Sequence, residues 1–209
     1  MIDFFFKQYE NYATSQILIE LIAIGFGLAS VVYSKKNKVA VFPTGMSSTA
    51  LFVYLLWQWE LLGDMLINAY YFMMSIYGWW VWTSKDETNE TVVISTINRK
   101  EMLQAIILFL FACIFVVGIY VFFNKFTHWT AYVDTLTTGI FFAGMWLMAK
   151  RKVENWLFWI IGDLISIPLY FFKGYTFTSL QYLIFTILAI YGYQSWKKIL
   201  HKSQVIVSK

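Results

Sequence analysis

Apolar positions fall into seven long, nearly unbroken blocks, separated by short polar stretches. The blocks run roughly from Gln16 to Tyr33, Val41 to Trp57, Leu61 to Trp82, Met102 to Phe123, Trp129 to Ala149, Asn155 to Phe172 and Thr176 to Trp196. Each approaches the roughly 17 to 25 residues that a helix needs to cross a bilayer. None alternates apolar with polar residues in the period of two that a barrel strand requires. In hydrocarbon every backbone group must find its partner within the segment, so continuous apolar runs of this length predict helices. The pattern therefore predicts an all-α membrane protein with seven transmembrane helices.

Basic residues orient these spans. Thirteen of the sixteen lie on one face: Lys35, Lys36 and Lys38; Lys85, Arg99 and Lys100; Lys150, Arg151 and Lys152; Lys197, Lys198, Lys202 and Lys209. The other face holds Lys7, Lys125 and Lys173. By the positive-inside rule the basic face is cytoplasmic, which places the N-terminus outside and the C-terminus inside. Trp57, Trp59, Trp82, Trp129 and Trp196 near the block ends suit an interfacial belt.

The blocks also repeat. A gap-free shift of 114 residues superposes Glu20–Trp82 on Asp134–Trp196. Gly25 then meets Gly139, Ala29 meets Ala143, and Lys36-x-Lys38-Val39 meets Lys150-x-Lys152-Val153. Ile76-Tyr77-Gly78 with Trp82 meets Ile190-Tyr191-Gly192 with Trp196. Residues 1–209 then form one transmembrane domain, with repeat one at 16–82, a linker helix at 102–123 and repeat two at 129–196. Three helices, one linker and three helices give both repeats the same orientation. Such 3+1+3 parallel repeats are a transporter architecture, with the substrate site between the halves near the midplane.

Composition agrees with the class and removes alternatives. The chain is 59% hydrophobic and 21% aromatic, too apolar to coat a soluble globule. No cleavable signal peptide is expected from the mixed-charge start at Asp3, Lys7 and Glu10. The single cysteine, Cys113, reads as a small buried hydrophobe. The two histidines, His128 and His201, fall outside the apolar blocks, and there is no zinc-type spacing or phosphate loop. These features predict neither an enzyme nor a cofactor, and the dispersed basic residues call for no nucleic acid.

Polar residues inside the blocks carry the candidate chemistry. Asp163 sits in the middle of the sixth block, where an ionised carboxylate costs at least ~2.5 kcal/mol on insertion scales. Trp159 and Trp156 precede it by four and seven residues and share its helix face. A carboxylate behind two indole rings suits a flat cationic ligand, the rings stacking on it and the acid balancing its charge. Asp64, Asn68, Tyr71 and Ser75 form one stripe on the third block, while Gln181 and Tyr182 fall beside and at the position equated with Asn68 by the repeat. The hydroxyls of Thr44, Ser47, Ser48 and Thr49 are expected to bond backbone instead. Pro168 removes a helix bond just past Asp163. Asp3, Glu10, Glu20, Glu60, Asp64 and Asp134 make the external mouth acidic, which concentrates a cation.

Several runs together resemble the PnuC family of vitamin-precursor transporters. They are Phe42-Pro43-Thr44-Gly45, Gly63-Asp64-x-x-x-Asn68-x-Tyr70-Tyr71, Tyr77-Gly78-Trp79, Glu154-Asn155-Trp156-x-x-Trp159, Leu169-Tyr170-x-x-Lys173-Gly174 and Gly192-Tyr193-x-x-Trp196. The resemblance implies a fold like that of the SWEET sugar carriers. It also implies facilitated diffusion of nicotinamide riboside, trapped by a cytoplasmic kinase. It makes Trp156 and Trp159 aromatic walls, with Asn68, Tyr71 and Gln181 as hydrogen-bonding partners. The family often has an amide where this chain has Asp163, and sister members resemble thiamine or riboflavin carriers. The expected partners are thus the bilayer of the plasma (inner) membrane and a cationic vitamin precursor, nicotinamide riboside or thiamine, with a homo-oligomer compatible. A non-transporting receptor or scaffold and a sugar carrier are the competing classes. A neutral sugar does not need the carboxylate.

Overall fold

The structure, a computed structural model, describes residues 13–59, 62–85, 92–124, 126–174 and 176–207. Of the positions weighed above, Asp3, Lys7, Glu10, Glu60, Leu61, Lys125 and Lys209 lie outside the described residues. Among the described residues seven helices follow in order: α1 Thr14–Lys35, α2 Val41–Gln58, α3 Leu62–Thr83, α4 Arg99–Phe122, α5 Thr130–Ala149, α6 Asn155–Phe172 and α7 Thr176–Val207. Helix α7 continues well past Trp196 because Ile199 and Leu200 pack onto the core, which holds the basic extension in helix. Helix α4 starts at Arg99 because Asn98 and Glu101 form a reciprocal capping box.

By length and composition α1, α4 and α6 are apolar enough to cross a membrane. The other four are also 18 residues or longer and carry hydroxyl residues among their apolar ones. Those polar residues point inward. Ser48, Ser75, Thr135, Thr137, Thr138 and Thr186 are buried, whereas Leu21, Trp80, Phe111, Ile114 and Phe122 are exposed. An apolar exterior around a polar-dotted interior is how a protein sits in lipid, where exposing Leu or Phe costs nothing. The chain is an integral membrane protein.

Packing follows the chain order within each half: α1 on α2 and α2 on α3, then α5 on α6 and α6 on α7. Helix α4 lies against α5. The halves meet where α1 touches α7 and where α3 touches α5.

Local contacts recur across the two halves at the 114-residue offset. Helices α1 and α5 both end in a Schellman motif. The Lys38 N–H donates to the Tyr33 carbonyl at 3.0 Å, and the Lys152 N–H to that of Leu147 at 2.9 Å. The left-handed residue of each motif is Asn37 (φ 52°) and Arg151 (φ 53°). The Phe42 ring lies over Gly78 and meets Trp82 edge-on at 4.9 Å; the Trp156 ring lies over Gly192 and meets Trp196 edge-on at 5.5 Å. Elsewhere the partners swap size. Gly45 packs on Ser30 in the first half, where Trp159 packs near Gly144 in the second.

Phe42, Trp82, Trp156 and Trp196 form the centre of a buried cluster at the basic end of the bundle, with Val41, Ile94 and Val153. Two indoles latch the halves there. The Trp82 N–H donates to the Ala149 carbonyl at 3.0 Å, and the Trp196 N–H to the Ser34 carbonyl at 2.8 Å. The segment before α4 straps this end: Ser95 pairs with the chain at Arg151 and Val153, and Ile97 N–H donates to Glu154. Arg151 stacks on Trp82 at 4.1 Å and donates to the Val92 carbonyl. Burial lowers its guanidinium to about 10, which leaves it charged at neutral pH.

Trp82→Phe keeps most of the ring but leaves the buried Ala149 carbonyl without its indole donor. We expect a loss of about 1–3 kcal/mol, seen as a lower unfolding midpoint of the purified protein. Trp80→Phe, on the exposed side of the same helix, should leave the midpoint unchanged.

Candidate functional site

Helix α6 supplies the centre of the site. Its residues Trp156, Trp159, Asp163, Ser166 and Tyr170 recur at three- and four-residue spacing and so share one face. Asp163 is 2% exposed. The ion pairs seen among the described residues, Lys152 with Glu101 and Lys173 with Asp134, do not include it. A buried carboxylate without a cation loses several kcal/mol of hydration and strongly favours an incoming positive charge.

Rings from three other helices surround this acid. Tyr71 of α3 and Tyr182 of α7 lie within electrostatic range of Asp163, so both halves reach it. Phe141 of α5 stacks on Trp159 with centroids 5.4 Å apart and on Tyr182 at 6.0 Å and 7°. Tyr71 meets Trp159 at 6.4 Å. Beside it, Tyr70 stacks on Phe142 at 3.7 Å and donates to the Phe142 carbonyl at 3.1 Å, which ties α3 to α5. Tyr170 packs on Tyr182 with ring centroids 5.1 Å apart. The arrangement is a ring-lined acid, whose charge and ring faces complement a planar cation.

The other sequence candidates separate by position. Trp156 is 2% exposed and belongs to the basic-end core, its six-membered ring committed to Gly192 and Trp196. It therefore stands below Asp163 rather than beside it, and its buried N–H has no partner in the structure. The Asn68 amide donates to the Asp64 carbonyl one turn back at 3.0 Å. Asp64 is exposed near the start of α3, in electrostatic range of Asp134 and Lys173. Gln181 is half-buried next to Tyr182. Ser75, Thr44, Ser47 and Thr49 return their hydroxyls to their own helices, and Ser48 donates to the Ala23 carbonyl of α1. Cys113 packs on Gly139 between α4 and α5. Among the described residues no group of three or more His, Cys, Asp or Glu comes together.

Comparison with known proteins places the chain in a family. A family model described as nicotinamide mononucleotide transporter matches residues 17–198. The chain belongs to this family, the PnuC family. Its members are transporters rather than enzymes, and so is this chain. Among PnuC relatives, the nicotinamide riboside transporter PnuC of Escherichia coli (strain K12) is 24% identical over 208 residues, covering 85% of this chain and 84% of that one. The riboflavin/roseoflavin transporter RibM of Streptomyces davaonensis is 26% identical over 164 residues, covering 68% and 74%. The crystal structure of the vitamin B3 transporter PnuC matches the fold with a TM-score of 0.67 at 21% identity, over 88% of this chain and 83% of that chain.

Within the PnuC frame, sequence reading missed Phe141, Tyr170 and Ser166. Phe141 stands where the 114-residue offset puts Gly27, so the size swap between halves was its available signal. Tyr170 and Ser166 follow Asp163 by seven and three residues, and extending the Trp156–Asp163 face would have found both.

Proposed function

We propose that this chain carries nicotinamide riboside by facilitated diffusion across the plasma (inner) membrane. The single observation behind the reading is the buried Asp163 carboxylate set among Trp159, Phe141, Tyr71 and Tyr182. Charge separates the candidate cargoes. The pyridinium of a riboside is a flat cation that the acid attracts. A mononucleotide adds a phosphate that the same carboxylate repels, and riboflavin carries no positive charge to balance it. Thiamine, also a flat cation, is the second reading.

All seven helices span the bilayer, with the basic end cytoplasmic and the two halves forming parallel repeats around α4. The paired Schellman motifs, the reciprocal indole latches and the matched aromatic–glycine contacts support this arrangement. Trp159 forms the principal wall, Trp156 closes the basic side, Tyr71, Asn68, Gln181 and Tyr182 hold the polar edges, and Asp64 belongs to the acidic entrance. No ATP-binding motif occurs in the sequence, which supports passive transport, and the family resemblance implies trapping by a cytoplasmic kinase.

Uptake by proteoliposomes tests both cargo and mechanism. Labelled riboside should equilibrate across the bilayer and stop at equal concentrations. Accumulation above the external level under a proton or sodium gradient would refute passive transport. Uptake of thiamine but not riboside would replace the cargo and keep the mechanism.

A further inference from the structure

We propose that Ser166 is a further substrate-positioning residue, whose hydroxyl hydrogen-bonds a hydroxyl of the cargo about one helical turn from Asp163. The inference rests on the carrier reading above and names a group of the cargo that this reading leaves open. Ser166 is 1% exposed, and its Oγ has no hydrogen-bond partner in the structure. That is unusual within this chain. Thr44, Thr49, Ser75, Thr135 and Thr186 all donate to the carbonyl four residues back on their own helix. Ser30, Ser48 and Ser179 instead reach a carbonyl of a neighbouring helix. Ser166 does neither. A buried hydroxyl left without a partner is costly, so a group that completes it binds with an advantage.

Position then says where that group comes from. Ser166 lies on the α6 face between Asp163 and Tyr170. Both of these lie by Tyr182 of α7, Asp163 within electrostatic range and Tyr170 in ring contact at 5.1 Å. Ser179 of α7 bonds the Ile167 carbonyl, which fixes α7 against this same turn. Ser34 also has a buried hydroxyl without a partner, but it lies in the basic-end core under Trp196, off this face. Three residues of helix separate Ser166 from the acid by roughly 4.5 Å along the axis. A cation held at Asp163 therefore presents to Ser166 whatever is bonded next to its ring. For a riboside that is the sugar, and a ribose hydroxyl both donates and accepts, as the serine does.

Calorimetric binding to the purified full-length protein tests this with nicotinamide riboside and its 2′-, 3′- and 5′-deoxy analogues. Ser166→Ala should weaken the riboside about three- to tenfold. The same substitution should not weaken the one analogue that lacks the engaged hydroxyl, and Ser166→Thr should restore the parent affinity. Unchanged riboside affinity in Ser166→Ala would overturn the inference. So would an equal loss for all four ligands, which marks a structural role. If the native protein binds thiamine instead of riboside, thiamine and its analogue without the terminal hydroxyl take their places under the same criteria. Native protein that binds neither vitamin overturns the carrier reading, and this inference with it.

Discussion

Asp163→Asn should lower the affinity for nicotinamide riboside by about 100-fold while leaving the protein as well folded as the native one. Asparagine keeps the shape and an acceptor oxygen but removes the charge. Truncating one partner of a buried charge pair typically costs about 2–5 kcal/mol, and 100-fold lies within that range. Folding should not suffer, because the described ion pairs do not hold Asp163 in the apo protein and a neutral amide is easier to bury. Calorimetry on the purified variant measures the affinity, and its unfolding midpoint controls for integrity. A variant that binds as tightly as native protein would remove the charge-pairing role.

Gly192→Val should cost the protein about 3 kcal/mol of stability. A Cβ built on Gly192 would sit 2.5–2.7 Å from Cζ3, Cη2 and Cε3 of Trp156. That ring cannot swing aside, because it is buried and meets Trp196 edge-on, and Trp196 is itself latched to Ser34 across the halves. Overpacking a tight core costs typically about 1–3 kcal/mol, and a β-branched side chain meets more of the ring than a methyl. Gly25→Ala is the matched control. Nothing lies within 4 Å of its Cβ, and alanine favours a helix by roughly 0.5–1 kcal/mol over glycine. Midpoints in one detergent should therefore fall for Gly192→Val and hold or rise for Gly25→Ala. Equal midpoints for native and Gly192→Val would contradict the packing described for Trp156.

Much of the fold was readable because lipid imposes a length on apolar runs. The α6 limits, Asn155 and Phe172, coincide with the apolar block, since polar turns flank it on both sides. The ends that moved did so for local reasons. Asn98 with Glu101 three residues on is a capping signal visible in the sequence, yet a hydropathy reading starts three residues later, at Met102. Lysines after Trp196 suggest a helix leaving the membrane, and it does so without ending, because Ile199 and Leu200 still find apolar partners.

The candidate site was legible only along one helix at a time. Periodicity placed Trp156, Trp159 and Asp163 on one face, but that face is longer than a single pocket. Its lower end belongs to the basic-end core, where Trp156 meets Trp196. Which rings come from other helices is a tertiary fact. Phe141 reaches Trp159 from α5 because Gly162 of α6 leaves room for its ring, a pairing that no spacing within either helix reveals. Asn68 illustrates the converse: a polar residue on a promising stripe can spend one of its two N–H donors on its own backbone.

The account stands on a planar positive charge being held between ring faces by one buried acid. Equilibrium binding of nicotinamide riboside against its reduced dihydro form tests that most directly, because the two share size and sugar while only the first carries the cationic ring. Micromolar binding of the oxidised form, with the neutral form weaker by an order of magnitude or more, is the predicted result. Equal affinity for both, or tighter binding of the neutral form, would contradict it.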